Sequence, residues 1–374
     1  LKHQKSEDAA SPEFRYLLSY CVTEARRVFT TVELETWRPG AAEPRPADAD
    51  YVLVLGPENV LFTVASLERM RQTIDQGAEV VVPSRLGALA PIDAAPIYTL
   101  RGYQLMEQKL LGEGRSSAER PASHLPVALF SGTAARRARG ALPVSHLFRD
   151  SVLREATPAL RVSSAGLFHE FIDYYAEERA DLLPFLPPGA KDVLEIGCGR
   201  GVTGKLIQEQ LGCRVTGIEL HPEVAAEAAK SIARVIVGDV NDLAIDGRYD
   251  AIVASELFEH LADPEKFLRR MKALLRPGGR IVLSVPNVGH YAVVEDLMAG
   301  RWDYLPIGLL CYTHLRFFTR STLEDWIARA GFSSHRIIPQ TTELPERFSR
   351  LAASFACDLE SLRTKGFYVI LEAD

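Results

Sequence analysis

Three groups of residues have the types and spacing to do chemistry. The first is Asp192-Val193-Leu194-Glu195-Ile196-Gly197-Cys198-Gly199-Arg200-Gly201, an apolar run that carries one carboxylate and ends in three glycines at alternate positions. Glycine lets a backbone approach a ligand closely, and a helix beginning just beyond exposes unpaired N–H groups. The second group is Glu219 and Asp239, each at the end of an apolar run. A carboxylate at a strand tip can accept hydrogen bonds from two adjacent hydroxyls or from an amine. The third is His260, His290 and His314. An imidazole with a pKa near ~6.5 can remove a hydroxyl proton near neutral pH.

Regular elements must hold these groups in place. Asp192–Ile196 reads as a buried strand, and Val202–Leu211 as the helix that follows its glycine turn. Cys213 to Leu220 is a second strand, and Pro222 opens the next helix at its first position. Arg234–Gly238 and Tyr249–Ser255 give two more strands, the latter followed by Ser255-Glu256-Leu257-Phe258-Glu259-His260. Asp263-Pro264 caps a helix with an apolar stripe, and Ile281–Val285 is a fifth strand. Phe332–Pro339 and Phe367–Glu372 supply two further strands around a helix at Leu344–Ala356. Alternating strands and helices make a largely parallel sheet, which binds ligands at the carboxyl ends of its strands. Phe168 to Leu186 is expected to be a helix ended by Pro184, Pro187, Pro188 and Gly189.

The glycine stretch and the elements after it, taken in order, resemble the class I S-adenosylmethionine (SAM)-dependent methyltransferases over about residues 166–374. The resemblance implies an α/β, Rossmann-like, seven-stranded sheet with one antiparallel strand, and SAM as cofactor. It assigns the cofactor to Glu195, Gly197, Gly199 and Gly201, with Glu219 on the ribose hydroxyls and Leu220 beside it. Asp239 would accept from the adenine amine, Val240 would offer its N–H, and Ser255 and Glu256 would flank the site. Gly199-Arg200-Gly201-Val202-Thr203-Gly204 also matches the dinucleotide fingerprint G-x-G-x-x-G. The Gly-Asp after the third strand and the turn Arg276-Pro277-Gly278-Gly279 favour SAM over a dinucleotide.

Residues 288–318 form an insertion after the fifth strand, dense in aromatic, His and Arg residues. Loops at this edge carry specificity, so Asn287, Tyr291, Trp302, Tyr304, Tyr312 and Arg316 are the candidate acceptor-binding residues. Trp302-Asp303-Tyr304 and His314-Leu315-Arg316-Phe317-Phe318-Thr319 resemble methyltransferases that accompany glycosyltransferases in bacterial polysaccharide and glycosylated-metabolite pathways. That likeness implies a hydroxyl acceptor on a sugar, glycan or small-molecule natural product, deprotonated by one of the three histidines. An N-methyltransferase acting by alignment alone, and a non-catalytic binding or assembly subunit, are the other readings. No metal is expected, since Glu256 and Asn287 offer only a partial ligand set. The Asn/Asp-Pro-Pro-aromatic run of nucleobase methyltransferases is missing after the fourth strand, which argues against a nucleic-acid acceptor.

Residues 1–160 read as a smaller α/β accessory domain. Strand Tyr51–Leu55, helix Leu61–Gln76 and strand Glu79–Pro83 imply a parallel βαβ unit. The segment looks like part of a nucleotide-sugar glycosyltransferase, but Leu55-Gly56-Pro57-Glu58-Asn59 lacks the paired carboxylates that would bind metal and sugar nucleotide. Dimerisation or acceptor binding is the expected role. Residues 15–34 show no clean period, 134–140 form a basic helix face, and 150–165 bridge the domains. The 374 residues are 47% hydrophobic and 25% charged with net charge −6, which gives no electrostatic footprint for nucleic acid or an anionic membrane. No apolar run reaches the ~18 residues of a membrane span. Five scattered cysteines without a CxxC pair fit reduced thiols and a cytoplasmic location.

Overall fold

A computed structural model describes residues 12–32, 49–55, 59–85, 98–113, 127–141, 160–171, 175–305 and 308–373. The chain divides into two compact units, one of residues 1–171 and 304–308, the other of residues 172–303 and 309–374.

The first unit contains α1 (Pro12–Val28), β1 (Tyr51–Leu55), β2 (Asn59–Leu61), α2 (Val64–Asp75), β3 (Val80–Arg85), α3 (Leu100–Gly112), β4 (Val127–Ser131), α4 (Gly132–Ala141) and β5 (Val162–Phe171). Its sheet runs β1-β4-β3-β5-β2. β1 and β3 do run in the same sense around α2, but β4 lies between them and pairs antiparallel with both. The helix expected at Phe168–Leu186 is not formed. Its start is β5, parallel to β3, and its end is a 3₁₀ helix at Ala180–Phe185. The apolar alternation of β5 is broken where Gly166 takes φ +78° and the pairing register shifts, so Leu167 and Phe168 are buried in succession. The division between units therefore falls after Phe171 and not within 160–166.

The described part of residues 15–34 is largely helical, and its apolar period is obscured because one buried position is polar. Leu17, Cys21, Glu24 and Ala25 form the buried stripe of α1. Glu24 belongs there because its Oε2 accepts the N–H of Val64 at the start of α2, where unpaired donors favour an anion. In α4 the basic face is as expected: Ala134 and Ala135 are buried while Arg137 pairs with Glu79 at 2.9 Å. Gly56, Pro57 and Glu58 lie outside the described residues, as does most of 150–165.

The second unit holds β6 (Asp192–Ile196), α5 (Val202–Leu211), β7 (Arg214–Glu219), α6 (Pro222–Ala228), β8 (Arg234–Val237), β9 (Tyr249–Ser255), α7 (Pro264–Leu274), β10 (Leu275–Pro286), α8 (Tyr291–Met298), α9 (Arg320–Arg329), β11 (His335–Thr341), α10 (Glu346–Ser354), α11 (Leu359–Arg363) and β12 (Thr364–Glu372). Its seven strands run β11-β12-β10-β9-β6-β7-β8. Only β12 is antiparallel to its neighbours, as expected. Side-chain alternation buries both faces. Leu194, Ile196, Ile252 and Leu283 enter one core, while Val193, Val215, Ala251 and Val282 enter the other. Each of the Val, Leu and Ile side chains contributes ~1.5–3 kcal/mol of burial, which fixes the register and hence the strand tips.

Candidate active site

The carboxyl edge of β6, β7 and β9 collects most of the residues singled out in the sequence. Gly197, Gly199 and Gly201 have φ of +72°, +53° and +77°, which only glycine adopts without strain. At Gly199 the constraint is also spatial: a Cβ would lie 2.5 Å from the carbonyl oxygen of Tyr175. The N–H of Arg200 donates to that same carbonyl at 2.8 Å. Residue 175 therefore covers the turn, and its ring sits 5.7 Å from that of His221 in a T-shaped pair.

Glu219 is 5% exposed at the tip of β7. Its Oε2 accepts the N–H of Gly199 and its Oε1 the N–H of His221, both at 3.0 Å. Each oxygen keeps a second lone pair, and the carboxylate is held at one orientation for a ligand. Leu220, next to it, is 55% exposed. Asp239 is exposed, and its Oδ1 accepts from the N–H and side-chain amide of Asn241 at 2.8 Å. This is a turn bond, and Oδ2 is not part of it. Val240 is buried, with its carbonyl held by Arg270.

Glu195 departs from its expected place in contact with the cofactor. Its carboxyl lies behind the loop, against the N–H of Gly204 in the first turn of α5, where a Cβ would come 2.4 Å from Oε2. Burial pushes its pKa up to about 8, the Gly204 N–H pulls it down, and Glu219 raises it. Glu195 thus carries the loop from beneath.

Sequence reasoning missed Arg179, which is only 11% exposed. Its Nη1 donates to Ser255 Oγ, and to Ser284 Oγ at 3.0 Å. Asp181 accepts from Nε at 3.0 Å and from Nη2 at 2.8 Å, and Glu256 Oε1 lies 3.6 Å from Nη1. Burial works against its charge, but Asp181 and Glu256 more than offset it, so the guanidinium stays a cation. Glu256 is the one non-glycine residue with positive φ among the described residues, at +45°. A strain of ~1–3 kcal/mol persists there because Ser284 Oγ binds its carboxylate at 2.7 Å and its N–H at 3.1 Å.

The three histidines separate by their ring nitrogens. His290 is fully buried and caps α8: its Nδ1 accepts the Ala292 N–H, so Nε2 carries the proton and donates to Thr342 Oγ1. Neither nitrogen offers a base, which corrects the expectation for His290. His314 is 9% exposed and donates Nδ1–H to the Leu309 carbonyl. Burial and the nearby His260 pull its pKa down to about 3. His260 is half-buried and donates Nδ1–H to the Thr313 carbonyl at 3.2 Å, which leaves the lone pair on Nε2. The two rings meet edge to face at 4.8 Å. Beneath them Glu259 is completely buried; burial, then Glu256, hold its pKa well above the usual carboxylate range. Glu259, His260 and His314 place one ligand atom each within 4.8 Å of one another.

Among the acceptor candidates, Asn287 is a structural tie. It is fully buried, its Nδ2 donates to the carbonyls of Ser361 and Thr364, and its Oδ1 accepts from Gly289. Tyr304 belongs to the first unit, where its carbonyl accepts from Tyr16 Oη at 3.0 Å and Leu305 enters the core. Trp302 packs edge-on against Phe317 at 5.0 Å, and Tyr291 packs on Phe348 at 5.4 Å. Tyr312 is 44% exposed. Arg316 is exposed and donates to the carbonyls of Leu315 and Ala262.

Residues 168–336 match the sequence profile of a methyltransferase domain. A stretch of 156 residues is 33% identical to the ubiquinone biosynthesis O-methyltransferase of Xanthomonas axonopodis pv. citri, covering 39% of this chain and 64% of that protein. The ubiquinone biosynthesis O-methyltransferase of Xanthomonas campestris pv. campestris is 39% identical over 153 residues, covering 38% of this chain and 62% of that one. The chain thus spans less than two thirds of the length of these curated relatives. The crystal structure of a Thermotoga maritima SAM-dependent methyltransferase, described as a possible histamine N-methyltransferase, is 19% identical. It covers 52% of this chain and 87% of its own, with a TM-score of 0.38.

Proposed function

Residues 168–336 are a class I SAM-dependent methyltransferase domain, and from that premise we propose that the protein transfers the methyl group of SAM to a hydroxyl of a sugar, glycan or other small molecule. The residues suit the cofactor. Glu219, fixed by two N–H groups, is an acceptor for the ribose hydroxyls. The glycine turn and the start of α5 give the close backbone approach, and Leu220 an apolar surface for the adenine. Arg179 is a cation for the methionine carboxylate. SAM supplies a methyl on a sulfonium, and transfer requires the acceptor oxygen in line with it. A hydroxyl also gains from losing its proton, whereas an amine needs alignment alone.

The observation that carries the O-methyl reading is His260. Its tautomer is set by the Thr313 carbonyl, so a half-buried Nε2 lone pair stands at the carboxyl edge of β9. The relatives from Xanthomonas are O-methyltransferases, which supports the same reading. Trp302 and Phe317 offer flat apolar surface for a ring or sugar, and the resemblance of residues 302–304 and 314–319 to methyltransferases that accompany glycosyltransferases supports a glycosylated acceptor. The test is His260→Ala, assayed with labelled SAM against pools of glycans and cell-extract metabolites. Loss of a base is expected to lower kcat by about 10²–10⁴ with SAM affinity unchanged. A kcat close to wild type across about pH 6–9 would leave alignment of an amine as the better account.

A further inference from the structure

We propose that Arg270 is a positioning residue for the cofactor's adenine. It holds the turn that carries Asp239 and Val240, and so sets the preference for adenine over other purine rings. The inference rests on the SAM reading above and deepens it.

After β8 the chain makes one turn, in which the Asp239 carbonyl accepts the N–H groups of Asp242 at 3.1 Å and Leu243 at 2.9 Å. A single turn leaves its later carbonyls without N–H partners. The Arg270 guanidinium meets three of them. Its Nη1 donates to the carbonyls of Val240 at 2.6 Å and Asn241 at 2.8 Å, and its Nη2 to that of Leu243 at 2.7 Å. A planar fork with fixed donors suits such a set better than an ammonium on a flexible stem. The cation also sits at the carbonyl end of the turn, where positive charge is favoured. At the other end Asp239 Oδ1 accepts the N–H of Asn241 at 2.8 Å. The turn is thus closed from within by Asp239 and from another element by Arg270.

That other element is α7, held in place by Phe267, Leu268 and Met271 in the core. The neighbouring Arg269 goes elsewhere: it pairs with Glu265 at 2.8 Å and donates to the Arg329 carbonyl. The start of the turn is tied to β7, since the Gly238 N–H donates to the Glu219 carbonyl at 3.0 Å. Asp239 and Val240 therefore lie between two fixed points, the strand that carries the ribose acceptor and the guanidinium. Adenine requires such placement. A carboxylate must accept from its exocyclic amine while a main-chain N–H donates to ring N1, and a displacement of about an ångström at either removes the bond. In inosine the amine is an oxo group and N1 carries hydrogen, so donor and acceptor are exchanged at this edge.

The test is calorimetric titration of the full-length protein with S-adenosylhomocysteine and with S-inosylhomocysteine. Wild type is expected to prefer the adenine ligand by about tenfold or more, as for a hydrogen bond to a charged group. Arg270→Gln should reduce the preference to about twofold by loss of affinity for the adenine ligand, with affinity for the inosine ligand kept. Arg270→Lys, which keeps the charge but not the fork, should show an intermediate preference. Arg269→Gln should match wild type, which separates the clamp from a general effect of positive charge on α7. If Arg270→Gln does not fold, Arg270→Lys carries the test. A full wild-type preference in the Arg270 variants would overturn the proposal. So would an equal loss of affinity for both ligands, which is damage to the fold and not to the adenine turn. Wild type that bound both ligands equally would remove adenine recognition from this turn and the role of Arg270 with it. Wild type that bound neither would contradict the SAM reading beneath the proposal.

Discussion

At His290 the ring is committed twice, accepting at Nδ1 from Ala292 and donating at Nε2 to Thr342 Oγ1, which in turn donates to the Arg363 carbonyl. A proton added to Nδ1 would break the helix cap, in a site with no exposure to solvent. Burial, and then Lys365, lower its pKa from 6.5 to about 4. The folded pKa lies below the unfolded one, so between these values the unfolded chain binds more protons. The contribution is intact above about pH 6.5 and is lost as pH falls toward about 4. His290→Asn keeps a capping side chain and removes the titration. Urea unfolding should therefore show wild type losing on the order of 2 kcal/mol more than His290→Asn between about pH 7 and pH 4.5. Parallel losses in the two proteins would mean that His290 does not titrate in this way. At His260 the Thr313 carbonyl accepts at Nδ1, which sets the tautomer with the proton on that nitrogen.

Among the elements, the turn between β6 and α5 is the most constrained. An alanine at 199 would combine φ +53° with a Cβ 2.5 Å from the Tyr175 carbonyl, a backbone atom that cannot swing aside. Gly199→Ala should displace the cover at 175 and the Glu219–Gly199 bond together, and weaken SAM binding by about tenfold or more, as expected for loss of a charged hydrogen bond. Calorimetry checks this, and unchanged affinity would show that the turn is not the cofactor cradle. These parts were legible in the sequence because each is local: a strand, its glycines and a carboxylate at a strand tip are contiguous patterns. Arg179 was not legible, because Ala-Glu-Glu-Arg-Ala-Asp reads as a solvated segment until Ser255, Ser284 and Glu256 are brought to it. Glu259 was hidden for the same reason, its partners being His260 next door and His314 far along the chain. α1 and β5 were obscured from within, by a buried glutamate in an apolar stripe and by a kink at Gly166.

At the scale of the whole molecule, the chain joins a seven-stranded methyltransferase sheet to a five-stranded α/β unit that also takes in residues 304–308. Among the described residues no helix is long and apolar enough to cross a membrane. The central claim, that the second unit uses SAM, depends on Glu219 more than on any other single side chain, because it alone offers fixed acceptors at the tip of β7. The direct measurement is calorimetric titration of SAM into the full-length protein and into Glu219→Ala. Saturable binding by wild type is expected, weakened about tenfold to a hundredfold in the variant by loss of ~1–3 kcal/mol of charged hydrogen bonding. Absence of binding to folded wild-type protein, or equal affinity in the two, would contradict the account.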